Sequence, residues 1–422
     1  MSATPFPRNP EAWRPPLVVL AGMGTGRECL AESVLAWIRR AEVLAGGSRL
    51  LEGFPGHSGD KLPLRAPLGE SLEELARVSA RRRTAVLASG DPFFFGVGKR
   101  LVELLGKDRL LTFPNLTTVQ SLFARLAEPW EDVGVVSLHG RKGEGWLREA
   151  RLHDRVAFFT DAERSPAWIA RKLLEAGFGD RDLIVAEDLG AEGESIRRLS
   201  LESAAREAFS PLNLAVAMPG SRTPEGPLND YPLLGLPEEA LEHQGGLITK
   251  MEIRAAVLAH LCLKPGLVLW DLGAASGSVA IEAARLAPLD GVLAMEKDEI
   301  RYAHLAANVK RFRCGEIRAV HGDAARPPPD APDPHRVFIG GGGPRLQAIL
   351  EAVEKRLRRG GRVVQTAVTL DALEISRRFW QDRSFQVDVV QIQASRSVPI
   401  GNSQRLEALN PVFIVTAQDG GT

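Results

Sequence analysis

The stretch best suited to chemistry is Asp271-Leu-Gly-Ala-Ala-Ser-Gly-Ser278, which follows an apolar run and leads into a helix-like segment. Small residues at a strand-to-helix turn let a ligand approach the backbone, which makes Gly273, Ala274, Ala275, Ser276 and Gly277 candidate contacts. Two acids extend the pattern. Glu296 ends the next apolar run, where a carboxylate can accept hydrogen bonds from both hydroxyls of a ribose. Asp323, beside Ala324 in His321-Gly-Asp-Ala324, ends the run after that, where the acid or its neighbouring backbone can read an adenine edge. Two acids in register at consecutive strand ends describe an adenosine pocket. The turn reads Gly-x-x-x-Gly and lacks the middle glycine that brings a pyrophosphate close. Asp271 just before it suits an ammonium or sulfonium better than a phosphate. S-adenosylmethionine carries both cations; a nicotinamide cofactor, and with it an oxidoreductase, is the alternative use of the same crevice.

Such a turn needs an α/β frame, and the patterning supplies one twice. Short apolar runs at Leu17 to Ala21, Thr84 to Ala88, Val133 to Leu138 and Asp182 to Ala186 alternate with helix-like stretches, as do Leu267 to Asp271, Gly291 to Glu296, Glu316 to His321, Arg336 to Ile339 and Gly361 to Gln365. Continuous apolar runs separated by helix-length segments predict parallel strands covered on both faces. Val387 to Gln393 and Val412 to Ala417 have no helix between them and predict an antiparallel pair closing the second sheet. Pro219 to Pro232 is rich in proline and glycine and reads as a linker. The expected organisation is a loose proline-rich tail (1–16), a first domain (17–221), a linker (222–235) and a second domain (236–422).

At 422 residues the chain is long enough for two or three domains. Lys and Arg total 53 and Asp and Glu total 53, so no global field exists to hold a nucleic-acid backbone or an anionic membrane. Cys29, Cys262 and Cys314 form neither a disulfide framework nor a Cys-x-x-Cys pair, which predicts a reducing, cytoplasmic setting and no zinc or iron–sulfur site.

Several motifs carry a family resemblance. The run Gly246-Leu-Ile-Thr-Lys-Met-Glu-Ile-Arg254, the glycine turn, the His-Gly-Asp-Ala element, Phe338-Ile-Gly-Gly-Gly-Gly343 and Thr366-Ala-Val-Thr-Leu370 resemble the decarboxylating precorrin methyltransferases of cobalamin biosynthesis, which usually have glycine where Ala275 stands. Leu20-Ala-Gly-Met-Gly-Thr-Gly26, Ser89-Gly-Asp-Pro-Phe-Phe-Phe-Gly-Val-Gly98, Pro114-Asn-Leu-Thr-Thr-Val119 and Ser137-Leu-His-Gly-Arg141 resemble, in order, the tetrapyrrole methylases that alkylate carbon 5. The resemblance implies a tetrapyrrole methylase fold of two α/β subdomains followed by a Rossmann-like class I methyltransferase domain with a mostly parallel sheet. It also implies one S-adenosylmethionine site per domain, a tetrapyrrole small-molecule substrate and a homo-oligomer; one half serving as a non-catalytic scaffold is the further alternative.

By the same resemblance, Gly22, Gly24, Asp91, Thr117 and Thr118 contact cofactor in the first domain, and Thr249 does so in the second. Thr249-Lys-Met-Glu252 also has the form of a capping box. The implied substrate bears many carboxylates, so Arg141, Lys250, Arg254, Arg396 and Arg405 are candidates to hold them, a planar guanidinium being best suited to a bidentate grip; His139 stands beside Arg141 at the strand end. No nucleophile–histidine or metal constellation is evident. This fits chemistry in which a nucleophilic ring carbon needs alignment more than a base, and in which the macrocycle itself takes up the electrons left by carbon dioxide.

Overall fold

The computed structural model describes residues 6–65, 67–139, 143–221 and 231–420. The first sheet contains β1 (Val18–Gly22), β2 (Val43–Gly46), β3 (Asp60–Pro63), β4 (Thr84–Ala88) and β5 (Leu110–Phe113) in the order 3-2-4-1-5. Every pairing in it is parallel. β1 and β4 are buried at all positions, as strands covered by helices on both faces must be. Their neighbours bring the loops after β1, β4 and β5 side by side at the carboxyl end of the sheet.

The second sheet contains β6 (Gly134–Ser137), β7 (Val156–Phe159), β8 (Arg181–Glu187), β9 (Ser195–Ser200) and β10 (Asn213–Pro219) in the order 6-7-10-8-9. Only β6 and β7 run parallel; β10 inserts antiparallel between β7 and β8. The parallel alternation expected for this half therefore stops after β7. Two consecutive strands, β8 and β9, follow without a helix between them.

The third sheet contains β11 (Val268–Leu272), β12 (Gly291–Glu296), β13 (Ile317–His321), β14 (Arg336–Ile339), β15 (Arg362–Ala367), β16 (Gln386–Ile392) and β19 (Val412–Gln418), ordered 13-12-11-14-15-19-16. Strand order reverses between β11 and β14, and ligands of open α/β sheets bind at the carboxyl ends beside such a reversal. β16 and β19 are antiparallel, as the apolar runs suggested. The connection between them is itself a hairpin, β17 (Ser395–Ile400) and β18 (Ser403–Ala408). β18 is exposed at every position, so no buried face marks it in the sequence.

Two boundary expectations change. The tail was expected to be loose, yet Trp13 is fully buried against Trp37, with ring centres 5.8 Å apart, and its indole N–H donates to the carbonyl of Leu17 at 2.8 Å. Residues 222–230 of the expected linker lie outside the described residues. Beyond them, Gly235 and Leu236 are pinned by their amides to Glu282 at 3.1 and 2.6 Å. That stretch belongs to the packed second domain.

Candidate functional site

A cavity of about 660 Å³ opens at the carboxyl ends of β11 to β15. Gly273 forms its floor with φ +78°, a conformation that only glycine adopts without strain. Gly340, after β14, crosses so closely that a Cβ there would lie 2.8 Å from the carbonyl oxygen of Gly273. Glycine at both positions is what lets the two strand exits form one wall. The helix following the turn, Ser278–Leu286, is sealed by packing: Gly277 sits at φ +77°, and a side chain there would collide with Leu305.

Glu296 is nearly buried and fixed from several sides. Its Oε2 accepts the amide of Ala275 at 3.0 Å, and its Oε1 accepts those of Lys297 and Asp298 at 2.9 and 3.0 Å. Asp323 accepts Ala325 N at 3.0 Å and pairs with Arg345 at 2.7 Å. Gly273, Ala274, Ala275, Glu296, Asp323, Ala324, Thr249 and Lys250 all line the cavity. Most of the second-domain candidates thus meet around one cavity.

Asp271, Ser276 and Gly277 do not line it. Asp271 lies behind the turn with Oδ2 accepting Ala280 N at 3.0 Å, while Oδ1 is buried without a hydrogen-bond partner among the described residues. Burial, reinforced by the charge of Glu296 and opposed by the Ala280 amide, pushes its carboxyl up to about 7. Ser276 is buried, and its carbonyl accepts Asn308 Nδ2 at 2.9 Å.

The carboxylate-holding candidates fare differently. Arg254 is fully buried, paired with Glu282 at 3.0 Å and bonded to the carbonyls of Thr249 and Leu236. It is a structural strut rather than a substrate contact. Arg396 is committed to Glu238 and Glu252 at 2.6 and 2.7 Å, and Arg405 lies on the exposed hairpin facing Glu407 at 2.9 Å. Lys250 alone of these four lines the cavity, holding Glu238 at 2.8 Å. Burial raises the Glu238 carboxyl, but Arg396 and Lys250 outweigh it and bring it down to about 2. The capping box expected at Thr249 is absent: the helix Met251–Leu261 takes Lys250 as its N-cap, which leaves Thr249 one residue outside it, a lysine ammonium has no acceptor for a cap bond, and Glu252 instead accepts from Arg396. Arg345 and Asn410, which sequence reasoning missed, also line the cavity. Neither carries a periodic or motif signal strong enough to single it out.

In the first domain the candidates gather around three adjacent strand exits. Gly24 and Gly90 exchange backbone hydrogen bonds at 3.3 and 3.0 Å, tying the first glycine loop to the Gly-Asp-Pro loop. Gly22 is a packing residue, since a Cβ there would approach Gly90 O to 2.7 Å. Gly24 and Thr118 line one small depression, with Thr25, Arg49, Ser89 and Asn213, so it lies between the two subdomains. Asp91 and Thr117 instead line a second depression of about 640 Å³ with Phe93, Phe94 and Trp130. Asp91 Oδ1 is occupied by the amide of Phe93 at 2.8 Å. Thr117 forms a capping box with Gln120, so its hydroxyl serves the helix Thr118–Leu126. The first-domain candidates are thus divided between two depressions. His139 is exposed, its Nδ1 3.4 Å from the Ser137 hydroxyl, and Arg141 lies outside the described residues.

Comparison with known proteins agrees with this layout. Residues 17–205 match the family of tetrapyrrole (corrin/porphyrin) methylases, and residues 239–418 match the precorrin methyltransferase domain. A precorrin-6Y C(5,15)-methyltransferase [decarboxylating] from Sinorhizobium sp is 32% identical over 94% of this chain and 95% of its own length. Two relatives from Salmonella typhimurium match shorter parts. A cobalt-precorrin-7 C(5)-methyltransferase is 36% identical, covering 44% of this chain and 92% of its own. A cobalt-precorrin-6B C(15)-methyltransferase (decarboxylating) is 34% identical, covering 40% and 88%. The chain belongs to the family of decarboxylating precorrin C(5,15)-methyltransferases and is a methyltransferase.

Proposed function

We propose that the chain converts precorrin-6B to precorrin-8X, using S-adenosylmethionine bound once in each domain to methylate carbons 5 and 15, with loss of carbon dioxide from an acetate arm. The cavity where Gly273, Glu296 and Asp323 converge carries this reading. Its volume falls within the range of small-molecule sites, and the buried Asp271 oxygen behind its floor, without a hydrogen-bond partner among the described residues, favours a cationic ligand. When bound, the donor supplies an electrophilic methyl on a sulfonium. Glu296, already locked by three amides, orients the ribose; Asp323 and Ala324 read the adenine; Thr249 and the Gly340–Gly343 loop wall the side where the ring edge enters.

Alignment of a ring carbon that is already nucleophilic is worth about 7–11 kcal/mol of barrier, enough to make a strong base unnecessary. Lys250 takes a substrate carboxylate at the rim. The first domain acts at carbon 5, and the second at carbon 15 with decarboxylation. Domain limits of 17–221 and 236–422 serve as the working division. Calorimetry with the donor should saturate at two equivalents; Glu296→Ala should remove one and leave the other. Saturation of the wild-type chain at one equivalent, or unchanged affinity in the variant, would overturn the assignment.

A further inference from the structure

Of the two depressions at the strand exits of the first domain, only the smaller is lined by a cation, Arg49. Arg49 stands three residues beyond β2, on the short helix Ser48–Glu52, and β2 lies beside β4 in the first sheet. The two strands pack tightly where they end: a Cβ at Gly46 would lie 3.1 Å from the carbonyl oxygen of Leu87. The arginine thereby joins Ser89, which follows β4, and Thr118, which follows β5, around one slot. Among the described residues the Arg49 guanidinium has no hydrogen bond or ion pair, and the hydroxyls of Ser89 and Thr118 are likewise unused. Asn213 also lines the slot, but its amide is spent: Nδ2 donates to Ser210 O at 2.6 Å, and Oδ1 accepts the Thr160 hydroxyl at 2.7 Å.

A lone arginine on open surface is neutralised by water and indicates nothing. Here the guanidinium shares a slot with two free hydroxyls, and no acid among the described residues lines it. The rest of the wall comes from the second subdomain and is apolar, with Ala186, Leu189 and Leu214 all buried. Low polarity on that side strengthens the attraction of the guanidinium for an anion. The planar fork matches a carboxylate bidentately, and the hydroxyls can donate to its remaining lone pairs. The slot holds about 30 Å³, room for the head of a side arm and not for a ring. A carboxylate on an alkyl stem satisfies both halves of this wall, its head on Arg49 and its methylenes on the leucines. Each reactant of the carbon-5 reaction carries such a group: the donor has one at its amino-acid end, and the ring has several on its acetate and propionate arms.

We propose that Arg49, with the hydroxyls of Ser89 and Thr118, is a carboxylate-binding site of the first domain, and that it takes an alkyl carboxylate from one of the two reactants. This rests on the reading of the first domain as the carbon-5 methylase. It concerns that domain alone and does not involve the cavity of the second.

The test uses the full chain with Arg49→Gln and Arg49→Lys. Arg49 is exposed and bonds to no described side chain, so both variants should fold with the wild-type melting temperature. Mass spectrometry separates carbon-5 from carbon-15 products. We expect Arg49→Gln to raise the carbon-5 KM of one reactant by about ten- to hundredfold, the effect of losing hydrogen bonds to a charged group, while the carbon-15 KM values stay at wild type. Lysine keeps the charge but not the fork and should recover part of the loss. A rise for the tetrapyrrole assigns the slot to a ring arm, and a rise for the donor assigns it to the amino-acid end. Unchanged carbon-5 KM values for both reactants overturn the proposal. So does a rise for both together, or a matching loss at carbon 15, since either marks a deformed protein rather than a lost contact. If the wild-type chain transfers no methyl to carbon 5, the functional reading fails. The slot is then judged by phenylglyoxal labelling of the wild-type chain, read at Arg49 by peptide mapping. Slower labelling with S-adenosylhomocysteine, or with uroporphyrin as an inert ring bearing acetate and propionate arms, supports the site; an unchanged rate with both overturns it.

Discussion

Replacing Asp271 by asparagine should stabilise the ligand-free protein at pH 8 and destabilise it at pH 4.5. The carboxyl is 1% exposed, holds one amide hydrogen bond and has its second oxygen unpartnered among the described residues. Burial raises it from 3.8 to about 7. Below the unfolded value both states hold the proton. Between the two values the unfolded chain releases it and the folded chain keeps it, so stability falls as pH rises through this window and levels off above about 7. A gap of about three units at about 1.4 kcal/mol each bounds the loss at about 4 kcal/mol. Asparagine never ionises and can still accept from Ala280, but its amide N–H lacks an acceptor, a penalty of about 1–3 kcal/mol. The net expectation is a gain of about 1–3 kcal/mol at pH 8 and a loss of up to about 2 kcal/mol at pH 4.5, where about 1 kcal/mol of the wild-type penalty is already present. Urea unfolding of both proteins across this range isolates the Asp271 term as a difference of differences. A variant equally destabilised at both pH values would show that the wild-type carboxylate is compensated in a way the geometry lacks. Donor titration of the same variant at pH 8 should show weakened binding in the second domain, because the negative charge behind the turn is gone.

Other substitutions separate packing from ligand contact. Gly277→Ala combines left-handed strain of about 1–2 kcal/mol with overpacking of about 1–3 kcal/mol against Leu305, and the melting temperature should fall accordingly. Arg254→Met leaves Glu282 buried and unpaired; a loss of about 3–5 kcal/mol is expected in denaturant unfolding, with substrate KM unchanged in the folded fraction. Lys250→Ala should raise KM for the tetrapyrrole at carbon 15, whereas Arg405→Ala, on the outer hairpin, should leave it unmoved. Equal KM effects for those two would remove Lys250 from the substrate rim.

The second-domain site was legible because its information is local to strand ends. A buried parallel strand announces itself as an apolar run, and the residue ending the run stands at the crevice; Glu296 and Asp323 could be placed from that rule alone. The same rule misplaced Asp271, Ser276 and Gly277 only in depth. They belong to the turn, but alternation of direction within a tight turn sends some side chains behind it, and Gly277 serves the contact with Leu305. The cations failed for a different reason. Whether an arginine is free depends on which acids the fold brings to it, and Arg254 meets Glu282 and Arg396 meets Glu238 only after distant segments pack. Nothing in the spacing of Glu238, Glu252 and Arg396 encodes that cluster, and the capping box at Thr249 fails because the helix begins one residue later, with Lys250 as its N-cap.

The first domain exposes the limit more sharply. Its motifs were readable in order, and the structure does bring the exits of β1, β4 and β5 together. Which residues face a common depression is decided by the second subdomain, through Asn213 and Ala186, from strands whose sequences carry only core patterning. Asp91 and Thr117 then turn out to spend atoms on an Asx turn and a helix cap, the backbone work for which aspartate and threonine are favoured regardless of ligand. A motif residue can therefore mark the site by shaping its backbone while a neighbour such as Thr118 supplies the surface. Contacts between the halves extend this dependence across the chain: Arg151, on the helix Leu147–Leu152, forks onto Glu316, a residue that belongs by sequence to the other domain.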